Sequence, residues 1–449
     1  MKTFRLMIVA LLFATSVSAQ RYATQTPDGA YSPTVYLISV HETDTIYNCG
    51  GAARQAAMLN RQAVEGATLD YLATHRRGFQ QSEKPQFVFT GKNNRFSFAV
   101  GGFVALRAAY DFEGIVDNID FVPYDIPIPA AYNTRQKLTM DASTSRIFVK
   151  AMANTQALGR VIVFMDADFR GGTTGSYTPR VRSAYVSFLG LTLGRDVTTF
   201  CDLEAAPTTI DFQGPNAYNF NFATVARYEY SFADDHLKFG VAAEMPSLSA
   251  TFSDAFTSIP QRMPDFPMYF QYAWGADRDS HLRASGVLRN LYAHNLATGN
   301  NTSLLGWGVQ FSGTIKVCSW VRLFMNGVYG EGITPYIQDL TGSGLDFTPN
   351  PENPAQIQTM PMWGWQAAAR FNLSERLSVS GGFSMVRVEE KNGSFAEQYR
   401  QGQYIFGNVF YAITPRCKLA CEYLYGSRKN MDSSDNHANR AQMMIQYNF

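Results

Sequence analysis

Apolar residues occupy every second position at the end of this chain. In the final segment, NRAQMMIQYNF, the apolar set is Ala441, Met443, Ile445, Tyr447 and Phe449, and most of the positions between them are polar. This period of two predicts a β-strand with one apolar face and one polar face. Such a strand belongs either to a soluble sandwich or to a membrane barrel, so the remainder of the chain must decide between the two.

The same alternation begins at Arg95, in the segment RFSFAVGGFVALRAAYDF. This run is longer than an average strand of a soluble protein, but it suits a tilted membrane strand that projects beyond the bilayer. Counting this one, the pattern predicts about sixteen strands. The others lie near residues 145–155, 159–170, 180–190, 191–200, 223–232, 237–245, 266–275, 281–293, 305–317, 321–329, 360–371, 377–389, 402–413, 417–426 and 439–449.

The connections between the predicted strands alternate between short and long. The short ones are QAL, LG, ADDH, ADRDS, CSW, NLSER and TPR, whereas the long ones cover residues 113–144, 201–222, 246–265 and 331–359. Short turns at one end and long loops at the other are typical of outer-membrane barrels. We therefore predict an all-β fold, a transmembrane antiparallel barrel of about sixteen strands over residues 91–449. A TonB-dependent transporter is disfavoured, because it needs about twenty-two strands and a plug domain.

The N-terminal part of the chain lacks this pattern. Residues 1–19 have the basic start, the apolar centre and the small final residues of a secretory signal peptide, with cleavage expected near Ala19. No long apolar stretch follows, so no transmembrane helix is expected. Residues 20–90 are predicted to form a periplasmic extension. Its segment 51–77 is rich in helix formers, and a loosely ordered leader is the alternative to a helix.

Composition and motifs exclude several classes of function. The 38 Lys and Arg residues balance 37 Asp and Glu residues, and this near-neutral charge argues against a nucleic-acid partner. The five cysteines are odd in number and lack a CxxC spacing, so neither a disulfide framework nor a zinc site is expected. The motifs of serine hydrolases, P-loop NTPases and zinc proteases are missing. We predict no catalytic residues, no metal and no cofactor, with a barrel enzyme as a remote alternative.

Charged residues fall on the polar positions of the predicted strands. An Arg that faces lipid at the bilayer midplane costs roughly 2–4 kcal/mol, so these residues are expected to line a water-filled lumen. Basic groups outnumber acidic ones there, and guanidinium groups pair bidentately with carboxylates, which predicts a preference for anions. The alternative is that the charges only balance one another within the wall. The predicted pore-lining residues are Arg107, Arg146, Arg160, Asp166, Asp168, Arg170, Arg180, Arg182, Arg227 and Glu229.

One residue breaks the alternation, and a loop follows it directly. Arg195 shares the positions of the apolar residues in LTLGRDVTTF, so either a bulge near Gly194 turns it inward or this strand faces a neighbouring subunit. The next segment, CDLEAAPTTIDFQGPNAYNFNF, is the third long loop, and in general porins the third loop folds into the barrel. We predict a constriction loop whose carboxylates oppose the arginines, with an ordinary surface loop as the alternative. These carboxylates belong to Asp202, Glu204 and Asp211.

Five segments carry a family resemblance: DASTSRIFVKA, GRVIVFMDADF, RVRSAYVSFLG, LGRDVTTFCD and TIDFQGP occur in this order at close spacing. They resemble the DcaP-like family of trimeric outer-membrane porins, over roughly residues 96–232. The matching positions are Ser145 with Arg146, Asp166 to Phe169, and Arg180 with Arg182. The resemblance implies a sixteen-stranded homotrimer that passes small anionic solutes such as dicarboxylates. Where the family usually has Gly-Gln-Thr-Trp, this chain has GRDV, which adds charge at the wall.

The function predicted from these features is that of a diffusion porin for small hydrophilic solutes, anions above all. Its partners are the solutes, the outer-membrane lipid around it and further copies of the chain. The alternative is a structural or adhesive barrel plugged by its loops. The terminal Phe449 resembles the final aromatic residue of other bacterial outer-membrane barrels, and so it is expected to be the signal that the barrel-assembly machinery recognises during biogenesis.

Overall fold

A closed antiparallel barrel of sixteen strands forms the body of the protein and confirms the predicted fold class. The computed structural model describes residues 36–37, 74, 76–81, 87–90, 96–114, 120–173, 175–275 and 278–449. Of the segment 51–77, which is predicted to be helical, only residues 74, 76 and 77 are described, and these three are not in a helix. No helix in the described part of the chain is long and apolar enough to cross a membrane.

The strands are numbered in chain order. The barrel wall consists of β3 (Phe96–Glu113), β5 (Arg146–Thr155), β6 (Gly159–Asp168), β7 (Arg180–Phe188), β8 (Leu191–Val197), β9 (Phe222–Phe232), β10 (Leu237–Glu244), β12 (Phe266–Trp274), β13 (Ser280–Asn295), β14 (Asn301–Lys316), β15 (Val321–Glu331), β18 (Pro361–Asn372), β19 (Leu377–Val388), β20 (Tyr399–Ala412), β21 (Cys417–Asn430) and β22 (Asp435–Asn448). Shorter strands are β1 (Tyr36–Leu37), β2 (Phe87–Thr90), β4 (Lys137–Asp141), β11 (Phe256–Ser258), β16 (Phe347–Asn350) and β17 (Asn353–Thr359). Because β22 pairs with β3, the wall closes on itself.

Alternation along each strand gives the wall an apolar outside and a polar inside. In β20, Ile405 and Val409 are exposed on the outer face, whereas Tyr404 and Asn408 are buried inside the barrel. The outer residues are exposed in a single chain because lipid would be their natural surroundings. The polar inner residues find their partners on the wall and on segments that enter the lumen.

The two ends of the barrel differ as the sequence predicts, with two exceptions. At one end, short turns join consecutive strands, and we call it the short-turn end. At the other end, β13 continues into β14, and β21 into β22, through the short connections 296–300 and 431–434. These hairpins extend beyond the predicted strands, because both faces of a strand are wet outside a bilayer and the alternation fades there.

The strand β3 has two partners in succession on each of its sides. On one side β4 pairs with its upper half and β5 with its lower half, so β4 and β5 form one interrupted row. On the other side β22 pairs from Glu113 to Phe103, Phe449 exchanges two backbone hydrogen bonds with Gly102, and β2 pairs from Val100 to Ser97. The segment β2 therefore prolongs the row of β22. The predicted N-terminal extension, residues 20–90, includes this segment.

Three connecting segments fold into the barrel from the long-loop end: 120–136, 198–221 and 332–346. The largest apolar cluster of the protein lies where they meet the inner wall, and it includes Phe200, Ala217, Ile333, Tyr336 and Leu340, all almost fully buried. Burial of these side chains stabilises the loops inside the lumen, since each fully buried large apolar side chain contributes roughly 1.5–3 kcal/mol.

The wall has unequal height. The strands β5 to β8 contain 7 to 10 residues, and β10 and β12 contain 8 and 9, whereas β13 and β14 contain 16 residues and β3 contains 18. We call the portion formed by β5 to β8 the low wall. A transmembrane β-strand needs about 9–11 residues to span a bilayer, so the low wall has little or no length to spare beyond the membrane.

Candidate functional site

The third loop, residues 198–221, crosses the lumen and is attached to opposite sides of the wall. On β10, the carboxylate of Glu244 accepts hydrogen bonds from the hydroxyl of Thr198 and the backbone N–H of Thr199, both at 2.6 Å. On β21, the carboxylate of Glu422 accepts the backbone N–H groups of Ile210 and Asp211, at 3.0 and 2.8 Å. The loop is therefore a bridge inside the barrel rather than a surface loop.

The carboxylates of this loop act mainly as anchors. Asp202 is bound by His281 Nε2 at 2.9 Å and by the hydroxyl of Ser312 at 2.8 Å. Burial alone would raise the pKa of the Asp202 carboxyl, but His281, Arg283 and Ser312 together lower it to about 2. Asp202 is thus ionised and held against the wall formed by β13 and β14.

Asp211 anchors the opposite part of the loop. Its carboxylate accepts the backbone N–H groups of Phe121 and Gly214, both at 3.0 Å, and the hydroxyl of Tyr404 at 2.9 Å. Glu204 is half-buried, and its backbone N–H donates to Asp202. The three carboxylates were expected to oppose the arginines across a constriction. Among the described residues, Asp202 and Asp211 form no ion pair with an arginine, because backbone N–H, hydroxyl and imidazole donors inside the lumen bind them.

The arginines of the low wall form an ion-pair network with two aspartates. Arg180 donates to Asp168 at 2.9 and 2.6 Å, and Arg182 donates to the same carboxylate at 3.1 Å. Asp166 lies between Arg146 and Arg182, with N–O distances of 3.6 and 3.8 Å. All five were predicted as pore-lining residues, and the structure brings them together.

A bulge in β7 allows Arg182 to join this network. The pairing with β6 passes from Asp166 opposite Ser183 directly to Ala167 opposite Val181, so Arg182 is the additional residue. Both Arg182 and Ser183 are buried inside the barrel, while Val181 is exposed on the outside.

The aromatic ring of Phe212, carried by the third loop, lies among three guanidinium groups. The distances from the ring centroid are 4.4 Å to Arg170, 5.2 Å to Arg182 and 5.6 Å to Arg107, within the range of cation–π contacts. Arg170 also forms an ion pair with Asp120 at 2.7 Å. The loop thus contacts these three arginines through an aromatic ring.

Several guanidinium nitrogens near Phe212 lack a partner. Among the described residues, Nε and Nη1 of Arg107 are buried and have no hydrogen-bond partner. The Nε atoms of Arg146 and Arg182 also have none, and each faces Asp166 from beyond hydrogen-bond distance. We call Arg107, Arg146 and Arg182 the arginine cluster. Its buried, unpartnered donors are what an anion would satisfy.

Two adjoining cavities connect the short-turn end with this part of the lumen. The first, of about 280 Å³, borders the arginine cluster at Arg107 and Arg146, and the second, of about 590 Å³, lies among the turns after β14 and β18. Thr208, Phe410 and Lys418 line both of them. Basic residues outnumber acidic ones seven to two in the combined lining, which contains Arg76, Arg77, Arg107, Arg146, Arg370, Arg376 and Lys418 against Asp211 and Glu375.

The other predicted pore-lining residues lie apart from the cluster. Arg227 and Glu229 on β9 interact at 3.3 Å, and Arg227 also donates to Asp196 at 2.5 Å. Arg160 is exposed at the short-turn end of β6. Sequence reasoning missed Asp196 and Lys418, although both occupy polar positions of their strands and the alternation would have found them.

Arg195 points to the outside of the low wall. The pairing of β8 is regular on both sides and places Arg195 opposite Ala184 and Thr224. Of the two explanations considered for Arg195, the bulge near Gly194 is therefore wrong. The bulge in this part of the wall lies in the neighbouring strand β7, at Arg182. The guanidinium of Arg195 donates to the carbonyl of Val181 at 3.4 Å, on the outer surface.

Comparisons with known proteins agree with this architecture. The outer membrane channel DcaP of Acinetobacter baumannii is similar in structure, with a TM-score of 0.69 and 21% sequence identity over 80% of this chain and 99% of that one. An anion-selective porin from Comamonas acidovorans matches with a TM-score of 0.50 and 11% identity over 79% of this chain and all of that one. No curated protein sequence shows significant similarity to the chain.

The family comparison is more specific than the structural one. The model of the DcaP outer membrane protein family matches residues 89–449, which include the whole barrel, the third loop and the arginine cluster. A closed barrel of this kind, with a polar lumen and an apolar exterior, is an outer-membrane channel. The chain belongs to the DcaP outer membrane protein family.

Proposed function

We propose that this channel is a diffusion porin that favours small anionic solutes, with carboxylates as the preferred class. The observation that carries the proposal is the set of buried guanidinium nitrogens in the arginine cluster that form no hydrogen bond with any described residue, next to a cavity of about 280 Å³. A buried donor without a partner costs about 1–3 kcal/mol. A carboxylate that enters the cavity would remove this cost and form charge-assisted hydrogen bonds with more than one arginine.

The lining of the path supports the same sign of selectivity. With seven basic and two acidic residues around the two cavities, a cation meets a repulsive potential along the path, and an anion an attractive one. Carboxylates suit the cluster better than spherical anions, since the planar guanidinium fork matches the geometry of a carboxylate. Solutes with two carboxylates would engage Arg107 and the Arg146–Arg182 pair at once.

A second candidate is the plugged structural or adhesive barrel. The three segments that fill the long-loop end of the lumen favour it, because their side chains are packed against the wall. The two candidates differ in a single observable, since a plugged barrel conducts no current whatever its charge.

We also propose that the channel is a homotrimer joined at the low wall. Strands of 7 to 10 residues barely span a bilayer, and Arg195 on their outer face would cost roughly 2–4 kcal/mol at the midplane of lipid. Contact with a neighbouring subunit removes both difficulties. The rest of the outer face, rich in exposed apolar residues, would then be left for lipid.

The first test is the reversal potential of the purified protein in a planar bilayer under a salt gradient. We expect an anion-selective potential in the wild type and openings in three steps. Arg107→Gln should reduce the ratio of anion to cation permeability by roughly 2- to 5-fold, because one unit charge at 4 Å contributes about 1 kcal/mol in water.

The control for this test is Arg135→Gln, which removes the same charge from an exposed loop position. Arg135→Gln should leave the permeability ratio unchanged. A cation-selective wild type would refute the solute class, and a silent wild type would favour the plugged barrel.

A further inference from the structure

Residues that precede the barrel in the sequence lie inside its lumen. The side-chain Nζ of Lys150 on β5 donates to the backbone carbonyl and the hydroxyl of Thr74, at 2.9 and 2.7 Å. The guanidinium of Arg76 binds Asp196 on β8 and lies 4.9 Å from the ring centroid of Tyr185. Residues 76–81 therefore line the same cavity as the arginine cluster.

Phe79 fixes this segment to the third loop. Its side chain is only 3% exposed, and its ring centroid lies 5.0 Å from that of Tyr218 and 5.7 Å from that of Phe220. Its backbone N–H donates to the carbonyl of Leu203 at 2.6 Å. The segment is docked through an apolar anchor and a backbone hydrogen bond.

Gly78 permits the close approach to the loop. Its φ is +112°, and a Cβ at this position would lie 2.1 Å from the carbonyl oxygen of Leu203. Any other residue would meet both a disfavoured backbone conformation and a collision with main-chain atoms. The docked arrangement therefore depends on glycine at position 78.

Gln80 occupies the arginine cluster. Its side-chain oxygen accepts a hydrogen bond from Nη2 of Arg182 at 2.7 Å, and its backbone carbonyl accepts one from Nη1 of Arg146. The side-chain nitrogen donates to the backbone carbonyl of Phe212. Two neutral oxygens thus take the places where the oxygens of an anion would bind.

We propose that residues 76–81 form an internal blocker of the channel, which competes with anionic solutes for the arginine cluster. The identity of the competitor rests on the proposed function, because that function names the anions. Hydrogen bonds from guanidinium groups to a carboxylate are roughly twice as strong as those to neutral oxygens. A carboxylate solute therefore has an advantage over Gln80 at each arginine, and the docked segment yields to it.

The competition implies opposite effects for two substitutions of one residue. Gln80→Ala removes the side-chain oxygen from Arg182 and should raise the single-channel conductance of the full-length protein. Gln80→Glu adds a carboxylate at the same place and should lower it, with the block relieved in concentrated salt, where ion pairs are screened. Gly78→Ala, which prevents docking, should raise the conductance as Gln80→Ala does.

Two control variants make the same chemical changes at positions without these contacts. Gln356→Glu adds the same charge at an exposed position of β17, which lines neither of the two cavities. Gly299→Ala changes a glycine that also has a positive φ, +69°, in a loop position with open space around it. Both controls should conduct like the wild type.

The experiment is a recording of single-channel conductance and reversal potential for all variants in planar bilayers. A rise for Gln80→Ala and Gly78→Ala together with a fall for Gln80→Glu would establish the blocker. If all three variants had the same conductance as the wild type, the blocker proposal would be refuted, whatever the ion selectivity of the channel. The reversal potential measures ion selectivity, and the conductance measures the block, so the two proposals can fail separately. A cation-selective wild type together with a higher conductance of Gly78→Ala would refute the proposed anion selectivity and still support the blocker.

Discussion

Arg107 and Arg440 face the lumen from the paired strands β3 and β22, yet their surroundings differ. Arg440 is fully buried and donates to both oxygens of Asp111, at 2.6 and 3.0 Å, directly across the seam that closes the barrel. Arg107 has no ion pair within the described residues, and two of its nitrogens lack partners. The guanidinium of Arg440 joins two neighbouring strands of the wall, whereas two nitrogens of Arg107 form no hydrogen bond with any described residue.

The seam pair gives a prediction for stability. Asp111→Asn removes the carboxylate that binds the buried guanidinium of Arg440 through two oxygens, and breaking a buried pair in this way costs about 3–5 kcal/mol. We expect this loss in the free energy of unfolding, measured by urea denaturation of the barrel in lipid vesicles. The double variant Asp111→Asn with Arg440→Gln should recover most of it.

The comparison for this prediction is Arg107→Gln, which removes a lumen charge that forms no ion pair with any residue the structure describes. Its free energy of unfolding should stay close to that of the wild type. If Asp111→Asn and Arg107→Gln were equally stable, the seam pair would have no special role.

The sequence predicted which side chains face the lumen, but it did not predict which residues they contact there. Alternation follows from backbone geometry, so it identified Arg107, Arg146 and Arg182 as lumen residues. Their partners come from remote parts of the chain: Phe212 belongs to the third loop and Gln80 to the segment before the barrel. A pattern with a period of two contains no information on such distant contacts.

At the scale of elements, the third loop is held by carboxylates with different protonation behaviour. Burial raises the pKa of the Asp211 carboxyl to about 7, and the carboxyls of Asp120 and Glu422 act in the same direction, against Arg440. An acid with a higher pKa in the folded state stabilises the fold most at low pH. Its contribution declines as the pH rises from its ordinary value near 4 through about 7.

We therefore expect the third loop to be held less firmly at pH 8 than at pH 5. Rapid fluctuations of the single-channel current should become more frequent over this range in the wild type. Asp211→Asn keeps a neutral side chain at every pH and should abolish the dependence, whereas Glu204→Gln, on the half-buried part of the same loop, should retain it. An unchanged pH dependence in Asp211→Asn would assign the effect to another group.

The wall strands were largely predictable, and the additional elements were not. Long segments with alternating residues, such as β6 and β20, lie within a few residues of their predicted bounds. The strands β2 and β4 escaped prediction because they have only 4 and 5 residues, too few for a period to be distinguished. The burial of the third loop depends on partners such as Glu422 on β21, far away in the sequence.

At the scale of the whole molecule, the outward-facing Arg195 on the short strands of the low wall predicts where subunits meet. Arg195→Leu should weaken the proposed trimer, because it removes a polar group from the contact, while the stability of the single barrel stays unchanged. The assay is the fraction of trimer in unheated detergent gels and by light scattering. Leu323→Met, at an exposed position of β15 on the opposite side of the barrel from the low wall, serves as the control.

A stabilising effect of Arg195→Leu would indicate that Arg195 faces lipid instead of a neighbouring subunit. If Arg195 faced the bilayer, its replacement by Leu would stabilise the barrel by up to roughly 2–4 kcal/mol and leave the oligomeric state unchanged. That outcome would move the subunit contact away from β7 and β8.

The row that β22 and β2 form along β3 has a consequence for the topology of the chain. Both segments run in the same direction, and only Gly101 separates the residues of β3 that Phe449 and Phe87 contact. A peptide bridge of about one residue from Phe449 to Phe87 would make the row continuous. A circular permutant with this bridge and new ends in the loop 296–300 should therefore form the same cylinder. In such a permutant every strand of the barrel is joined to both of its neighbours, so the closed ring of strands does not depend on which strand comes first in the chain.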